Sequence, residues 1–201
     1  MISAILLAAG QSLRMNGENK LTKEINGTPL IVYSIKNILG SAVNELIIVL
    51  GHDEKLIKDI VEPNNKIKFV YNDKFKDGVA SSIKVGLNNI SKKSEAFFIC
   101  MGDMPNVNQN IYNKMIKSRF NYNKKLFTKN KKEIFVPTYE ENEGNPVFFS
   151  RFMKEKIMEI NDDFGAKKII KLNNEKTLYI PFKSDGIILD FDTKDDFIVE
   201  S

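Results

Sequence analysis

Six short stretches of this 201-residue chain carry residue types whose spacing could do chemistry. The first joins an apolar run, residues 2–7, to the small residues Ala8, Ala9 and Gly10, and then to Arg14 and Lys20. A chain leaving a buried strand through small residues exposes backbone N–H groups, and such a concavity suits phosphate oxygens. A guanidinium and an ammonium in the same loop extend it toward a polyanion such as a nucleoside triphosphate. An ordinary strand-to-helix connection with surface charges is the plainer alternative. The second stretch, Gly102-Asp103-Met104-Pro105, follows another apolar run. A carboxylate at the end of a central strand can hold Mg²⁺ while phosphates and water complete an octahedron, although Asp and Pro also favour plain turns.

The third stretch, Asp190-Phe191-Asp192-Thr193, would put two carboxylates on one face if it were extended, so that Asp192 could complete a metal site. Asp192 or Thr193 could equally cap a last helical turn. In the fourth, Gly78 with Ser81 and Ser82 could approach a base or ribose closely, and Ser81 could instead cap a helix. The fifth and sixth, Gly144-Asn145-Pro146-Val147 and Gly165-Ala166, read as tight turns. The one histidine, His52, and the one cysteine, Cys100, have no partners that would make a nucleophilic dyad, and no Cys/His spacing suits zinc.

Positioning these groups requires strands that alternate with helices. Apolar runs at residues 2–7, 45–50, 66–71 and 96–101 read as buried strands. Helical patterns fall between them: from Thr28 as a cap with Pro29 at the first position, over 53–62, and over 81–90. That alternation predicts right-handed crossovers, a mostly parallel sheet with helices on both faces, and a ligand crevice at the strands' carboxyl ends. The second half predicts a helix over 108–120, a polar loop or edge over 121–132, and short strands at 134–137 and 146–149. An amphipathic segment at 151–160, a helix at 165–172, and strands at 177–181 and 187–189 follow, with a helical turn after Thr193.

Thirty basic residues against 26 acidic ones leave a net charge of +4, a mixed surface that does not call for nucleic acid. A lone cysteine excludes an internal disulfide and fits a reducing compartment. The opening apolar run is too short for a signal peptide, and no segment reaches the ~18 apolar residues of a membrane span, so a cytoplasmic location is expected. With no linker or repeat, residues 1–201 are expected to form one domain.

At the residues just named the chain resembles nucleotidyltransferases of the molybdenum cofactor guanylyl- and cytidylyltransferase type. The opening Leu7-Ala8-Ala9-Gly10 with Ser12, Arg14, Met15 and Lys20 is similar to their signature, and Gly102-Asp103-Met104-Pro105 to their metal-binding turn. The later motifs resemble the cytidylyltransferase branch, with departures at Met104, Asn145, Lys194 and residues 163–166. The resemblance implies a Rossmann-like three-layer α/β/α fold of the nucleotide-diphospho-sugar transferase type. It implies Mg²⁺-dependent transfer of CMP from CTP to the phosphate of molybdopterin or the molybdenum cofactor, releasing pyrophosphate. The double-alanine form of the opening motif goes with CTP, and an alanine-glycine-glycine form with GTP. On that basis Lys20, Arg14 and Asp103 would be catalytic. Leu7, Ala8, Ala9, Gly10, Gly78, Ser81, Ser82 and Gly102 would bind nucleotide together with Arg14 and Lys20. Gly144, Asn145, Pro146, Gly165 and Ala166 would border the acceptor, and Asp103 and Asp192 would hold the metal. Such an enzyme can also dock a molybdenum hydroxylase client. The alternatives are the same fold acting with GTP or on another phosphorylated acceptor (a sugar phosphate or methylerythritol phosphate), and a non-enzymatic cofactor carrier.

Overall fold

The computed structural model describes residues 1–12, 15, 18–124, 131–159, 165–193 and 195–197. Arg14, Asp163, Phe164 and Lys194, and part of the predicted 121–132 loop, lie outside the described residues.

Strand β1 (Ile2–Ala8) alternates its side chains between two apolar layers, and this alternation organises the molecule. Ala4, Leu6 and Ala8 face one core and Ile5 and Leu7 the other. β1 pairs in parallel with β4 (Glu45–Leu50) on one side and β6 (Ala96–Met101) on the other, and β4 pairs in parallel with β5 (Ile67–Tyr71). Near-continuous apolar runs suit strands covered on both faces. Helices α1 (Leu30–Leu39), α2 (Glu54–Ile60) and α4 (Gln109–Lys124) cover the first face through residues such as Ile35, Ile57 and Met115. Helices α3 (Val79–Asn89), α5 (Lys154–Met158) and α6 (Gly165–Leu172) cover the second through Leu87, Ile157 and Ile170. This is the mostly parallel sheet with helices on both faces expected from the alternation of strands and helices, and the Rossmann-like α/β fold that the resemblance implies. No helix of the described residues is long and apolar enough to cross a membrane.

Beyond β6 the sheet reverses once. β9 (Val147–Ser150) runs antiparallel to both β6 and β7 (Ile134–Tyr139), and β10 (Thr177–Phe182) returns to parallel pairing on β7. A two-residue strand β8 (Asn142–Glu143) folds back on β7. The order β10-β7-β9-β6-β1-β4-β5 makes the β1/β6 junction the point where successive connections diverge to opposite sides of the sheet. Ligand crevices form at the carboxyl ends of strands at such a junction. The loops leaving β1 and β6 there are the ones that hold Lys20 and Asp103.

Three expectations are corrected. Thr28 and Pro29 do not open a helix. They form strand β3 (Thr28–Pro29), paired with β2 (Glu24–Ile25), and α1 starts one residue later. The turn between them is Asn26-Gly27 with φ +51° and +74°, a left-handed pair that favours a two-residue hairpin. Residues 121–124 continue α4 rather than entering a loop. Residues 187–189 are not a strand: residues 185–187 make a 3-10 turn that Ser184 caps by accepting from the Gly186 N–H at 3.2 Å. Ile187 is fully buried there, so its apolar character reflects an anchor in the core.

Candidate active site

After β1 the chain passes Ala9 and Gly10 and turns at Ser12, whose φ is +50°. Ser12 then organises the loop: its carbonyl accepts from Met15 N–H at 2.8 Å, and its hydroxyl accepts from the Lys20 N–H at 3.0 Å. Met15 is buried beneath the loop, and the buried Asn19 side chain caps the 3-10 turn at residues 20–22 by accepting from Leu21 N–H at 3.1 Å. The backbone beneath Lys20 is therefore fixed at both ends.

Lys20 Nζ pairs with Asp103 Oδ2 at 2.5 Å and also with Asp192. The Lys20 and Asp103 side chains are 15 and 9 % exposed, and Asp192 is 32 % exposed. Burial works against the Lys20 ammonium, but Asp103 and Asp192 together outweigh it and hold its pKa above the ordinary lysine value. Burial likewise pushes the Asp103 carboxyl up, against the opposing attraction of Lys20.

Asp103 reaches this place because Gly102 lets β6 close on β1. A Cβ at Gly102 would lie 3.0 Å from the Leu7 carbonyl oxygen and 3.2 Å from Leu21 Cδ2. The Gly102 N–H donates to that same carbonyl at 3.2 Å. Asp190 and Asp192 arrive from the far end of the chain, because Phe191 N–H donates to the Asp103 carbonyl at 3.0 Å. Phe191 packs edge-on to Phe197, 5.4 Å between ring centroids. Asp196 accepts from the Asp192 N–H (2.8 Å), the Thr193 N–H (2.7 Å) and the Thr193 hydroxyl (2.9 Å). Those bonds hold the Asp196 carboxyl below the usual carboxylate range.

Asp103, Asp190 and Asp192 each bring a carboxylate oxygen within 4.8 Å of the others. Asp103 Oδ1 is buried and has no hydrogen-bond partner. Unpaired buried carboxylate oxygens are costly, and hard oxygen donors in such a cluster suit Mg²⁺ or Mn²⁺. The residues present thus fit a divalent cation, with Asp190 joining the two carboxylates expected from the sequence.

Two cavities meet at this cluster. One, of about 540 Å³, is lined by Leu7, Ala9, Gly10, Gln11, Ser12, Lys20, Phe75, Lys76, Gly78, Val79, Ser82, Gly102 and the three aspartates among others. The second, of about 480 Å³, is lined by Gly144, Asn145, Val147, Lys167, Ile170 and Ile187 among others, with Glu143 also on its wall. They share Leu7, Val79, Met101, Asp103 and Asp190. Gly144 permits the second cavity's wall, since a Cβ there would lie 2.6 Å from the Ile187 carbonyl oxygen. The wall is tied by Asn145 N–H donating to that carbonyl at 2.8 Å.

Most residues expected at the site line one of these cavities, and some do not. Ala8 is buried in the core below the first cavity. Ser81 is absent from the lining: α3 starts at Val79, and the Ser81 hydroxyl sits among Asn72 Nδ2 (2.8 Å), the Gly78 carbonyl (2.8 Å) and the Lys74 carbonyl (2.9 Å). Pro146 follows a cis peptide behind the second cavity's wall, and Gly165 and Ala166 open the helix that brings Lys167 and Ile170 to it. Phe75 and Lys76 line the first cavity although nothing in their local pattern marks them. They occupy a short 3-10 turn whose place beside β1 is set by tertiary packing.

The family to which the chain belongs makes it a nucleotidyltransferase. The MobA-like NTP transferase domain model matches residues 4–177, and the chain belongs to that family. The chain is 25 % identical over 170 residues to a probable molybdenum cofactor guanylyltransferase of Methanosarcina acetivorans, covering 83 % of this chain and 70 % of that protein. It is 29 % identical over 117 residues to the bifunctional protein GlmU of Caldicellulosiruptor saccharolyticus, covering 57 % of this chain and spanning only about a quarter (25 %) of that protein. The structure superimposes on Rv0371c of Mycobacterium tuberculosis H37Rv with a TM-score of 0.83 and 22 % identity, over 98 % of this chain and 95 % of that one. A manganese complex of Rv0371c aligns at a TM-score of 0.74 and 20 % identity, over 98 and 95 % of the two chains.

Proposed function

We propose that this nucleotidyltransferase moves CMP from CTP to the phosphate of molybdopterin or the molybdenum cofactor and releases pyrophosphate. What carries the reading is the pair of adjoining cavities that share Asp103, with Lys20 beside it in the first. Two substrates that must exchange a phosphoryl-linked group need such a junction. The larger cavity, floored by Ala9 and Gly10, suits the triphosphate, and the smaller suits the acceptor.

An acceptor phosphate oxygen attacks the α-phosphorus, forming one P–O bond as the bond to the β-phosphate bridge breaks. The acceptor phosphate is already anionic near neutral pH, so no general base is required, and alignment and charge neutralisation dominate. The N–H groups around Ala9 and Gly10, with Arg14, would hold the β- and γ-phosphates. Lys20 would neutralise charge that builds on the α-phosphoryl oxygens. Gly78 and Ser82 would contact the base or ribose, and the turn at residues 144–147 with Lys167 would border the acceptor. Asp103, Asp190 and Asp192 would hold Mg²⁺, which when bound supplies neutralisation of phosphate charge. The manganese complex of Rv0371c fits the same expectation for a divalent cation.

The base assignment rests on the resemblance, in which the double-alanine form of the opening motif, here Ala8-Ala9-Gly10, goes with CTP. The name of the Methanosarcina relative speaks for GTP, which is therefore the second reading. Pyrophosphate release should be measured with molybdenum cofactor as acceptor and CTP, GTP, ATP or UTP with Mg²⁺. Cofactor-dependent release that prefers CTP is expected. A preference for GTP would overturn the base assignment, and nucleotide binding without release would overturn the acceptor.

A further inference from the structure

Lys20 holds the carboxylate oxygens that a divalent cation would need. Its Nζ lies 2.5 Å from Asp103 Oδ2 and in contact with Asp192, and it is largely buried between them. Mg²⁺ binds carboxylate oxygen at about 2.0–2.1 Å and keeps a shell of further ligands. An ammonium and a hydrated dication cannot both sit on these two oxygens, for reasons of space and of like charge. Three carboxylates gather here, and the buried Asp103 Oδ1 remains unpartnered, so the cluster still attracts a cation after Lys20 has bound. The Lys20 backbone is fixed through Ser12, leaving the flexible stem to move the charge. The same cavity contains Gly10 and Ser12, where phosphates would supply a new partner for the ammonium.

We propose that Lys20 is a stand-in cation in the nucleotide-free protein, that metal and lysine exclude each other on Asp103 and Asp192, and that nucleotide phosphate frees the site by drawing Lys20 away. The proposal rests on the reading of the aspartates as a metal site. It makes metal and nucleotide binding mutually strengthening in a way that depends on this side chain, because a ligand that gives Lys20 a new partner lowers the barrier to the other. Metal alone binds weakly, which keeps the cluster from filling before a nucleotide arrives.

Manganese(II) binding to the full chain, followed by electron paramagnetic resonance of the free ion, tests this without turnover. Lys20→Met should bind Mn²⁺ about tenfold or more tightly than the wild type in the absence of nucleotide. Saturating CTP without acceptor should shrink that difference, because wild-type Lys20 is then withdrawn. Lys20→Gln serves as a second variant that keeps a polar group between the carboxylates, and thermal melts establish that each variant is folded. Equal Mn²⁺ affinity in wild type and both lysine variants, with Asp103→Asn abolishing binding, would overturn the exclusion and leave the metal site standing. Undiminished binding in Asp103→Asn would overturn the metal site and the proposal with it.

Discussion

Replacing Asp103 by Asn removes one charge at constant shape from the centre of the cluster, and the structure assigns opposite signs to its effects on function and stability. Asp103 Oδ2 makes a 2.5 Å ion pair with Lys20, and Oδ1 is buried without a partner. Even outer-shell partners of a metal site are worth about 10–100-fold in affinity, so loss of a ligating charge should raise the Mg²⁺ midpoint by at least about tenfold. Stability moves the other way. Burial raises the folded-state pKa of Asp103 above its ordinary 3.8 even against the pull of Lys20, so the unfolded chain releases that proton more readily. The carboxylate therefore costs stability progressively as pH rises from the unfolded through the folded pKa, and the full cost is present above the folded value. Asn does not ionise and escapes it. The melting temperature of Asp103→Asn at neutral pH should equal or exceed that of the wild type, each kcal/mol being worth about 2–4 °C in a chain of this size. Thermal melts and Mg²⁺ titrations of pyrophosphate release read the two effects separately. An unchanged Mg²⁺ midpoint together with a lowered melting temperature would refute the reasoning and make Asp103 a structural turn residue.

Lys20→Ala should lower turnover by roughly 10²–10³ with little loss of CTP affinity, since the lysine exchanges one set of anionic partners for another; steady-state kinetics showing normal turnover would contradict the role. Asp196→Ala removes three hydrogen bonds that fix Asp192 and Thr193, so the Mg²⁺ midpoint should rise by about tenfold while nucleotide affinity in metal-free buffer stays put. Burial pushes the Cys100 thiol up to about 12 inside β6. Thiol reagents should therefore fail to label the native protein near neutral pH, and labelling should track global unfolding in denaturant.

Much of the central sheet was legible because β1, β4 and β6 are covered on both faces and so read as unbroken apolar runs. The alternation predicted a crevice at the strands' carboxyl ends, but the spatial strand order, and with it the β1/β6 junction where the loops carrying Lys20 and Asp103 meet, is set by long-range pairing that no local pattern encodes. The run at residues 187–189 misled for the same reason: apolar residues mark burial, and here burial comes from a turn docked beneath the second cavity. Asp190 and Asp192 lie outside any strand, yet their carboxylates converge on Asp103. They meet Asp103 because Phe191 N–H bonds its carbonyl, a contact spanning a large part of the chain that no local pattern encodes. The Asn26-Gly27 hairpin had a readable signal, since that dipeptide favours two successive left-handed residues, but the proline that follows drew the reading toward a helix start. Phe75 and Lys76 were not legible, because their place beside the cavity depends on how β5 and α3 pack.

The most direct test of the central claim is the mass of the product formed when the protein is incubated with Mg²⁺, molybdenum cofactor and an equimolar mixture of CTP and GTP. The account predicts a cofactor heavier by one CMP unit, formed with release of one pyrophosphate. A GMP adduct would contradict the assignment of the base, and an unmodified cofactor beside intact nucleotides would contradict the assignment of the reaction.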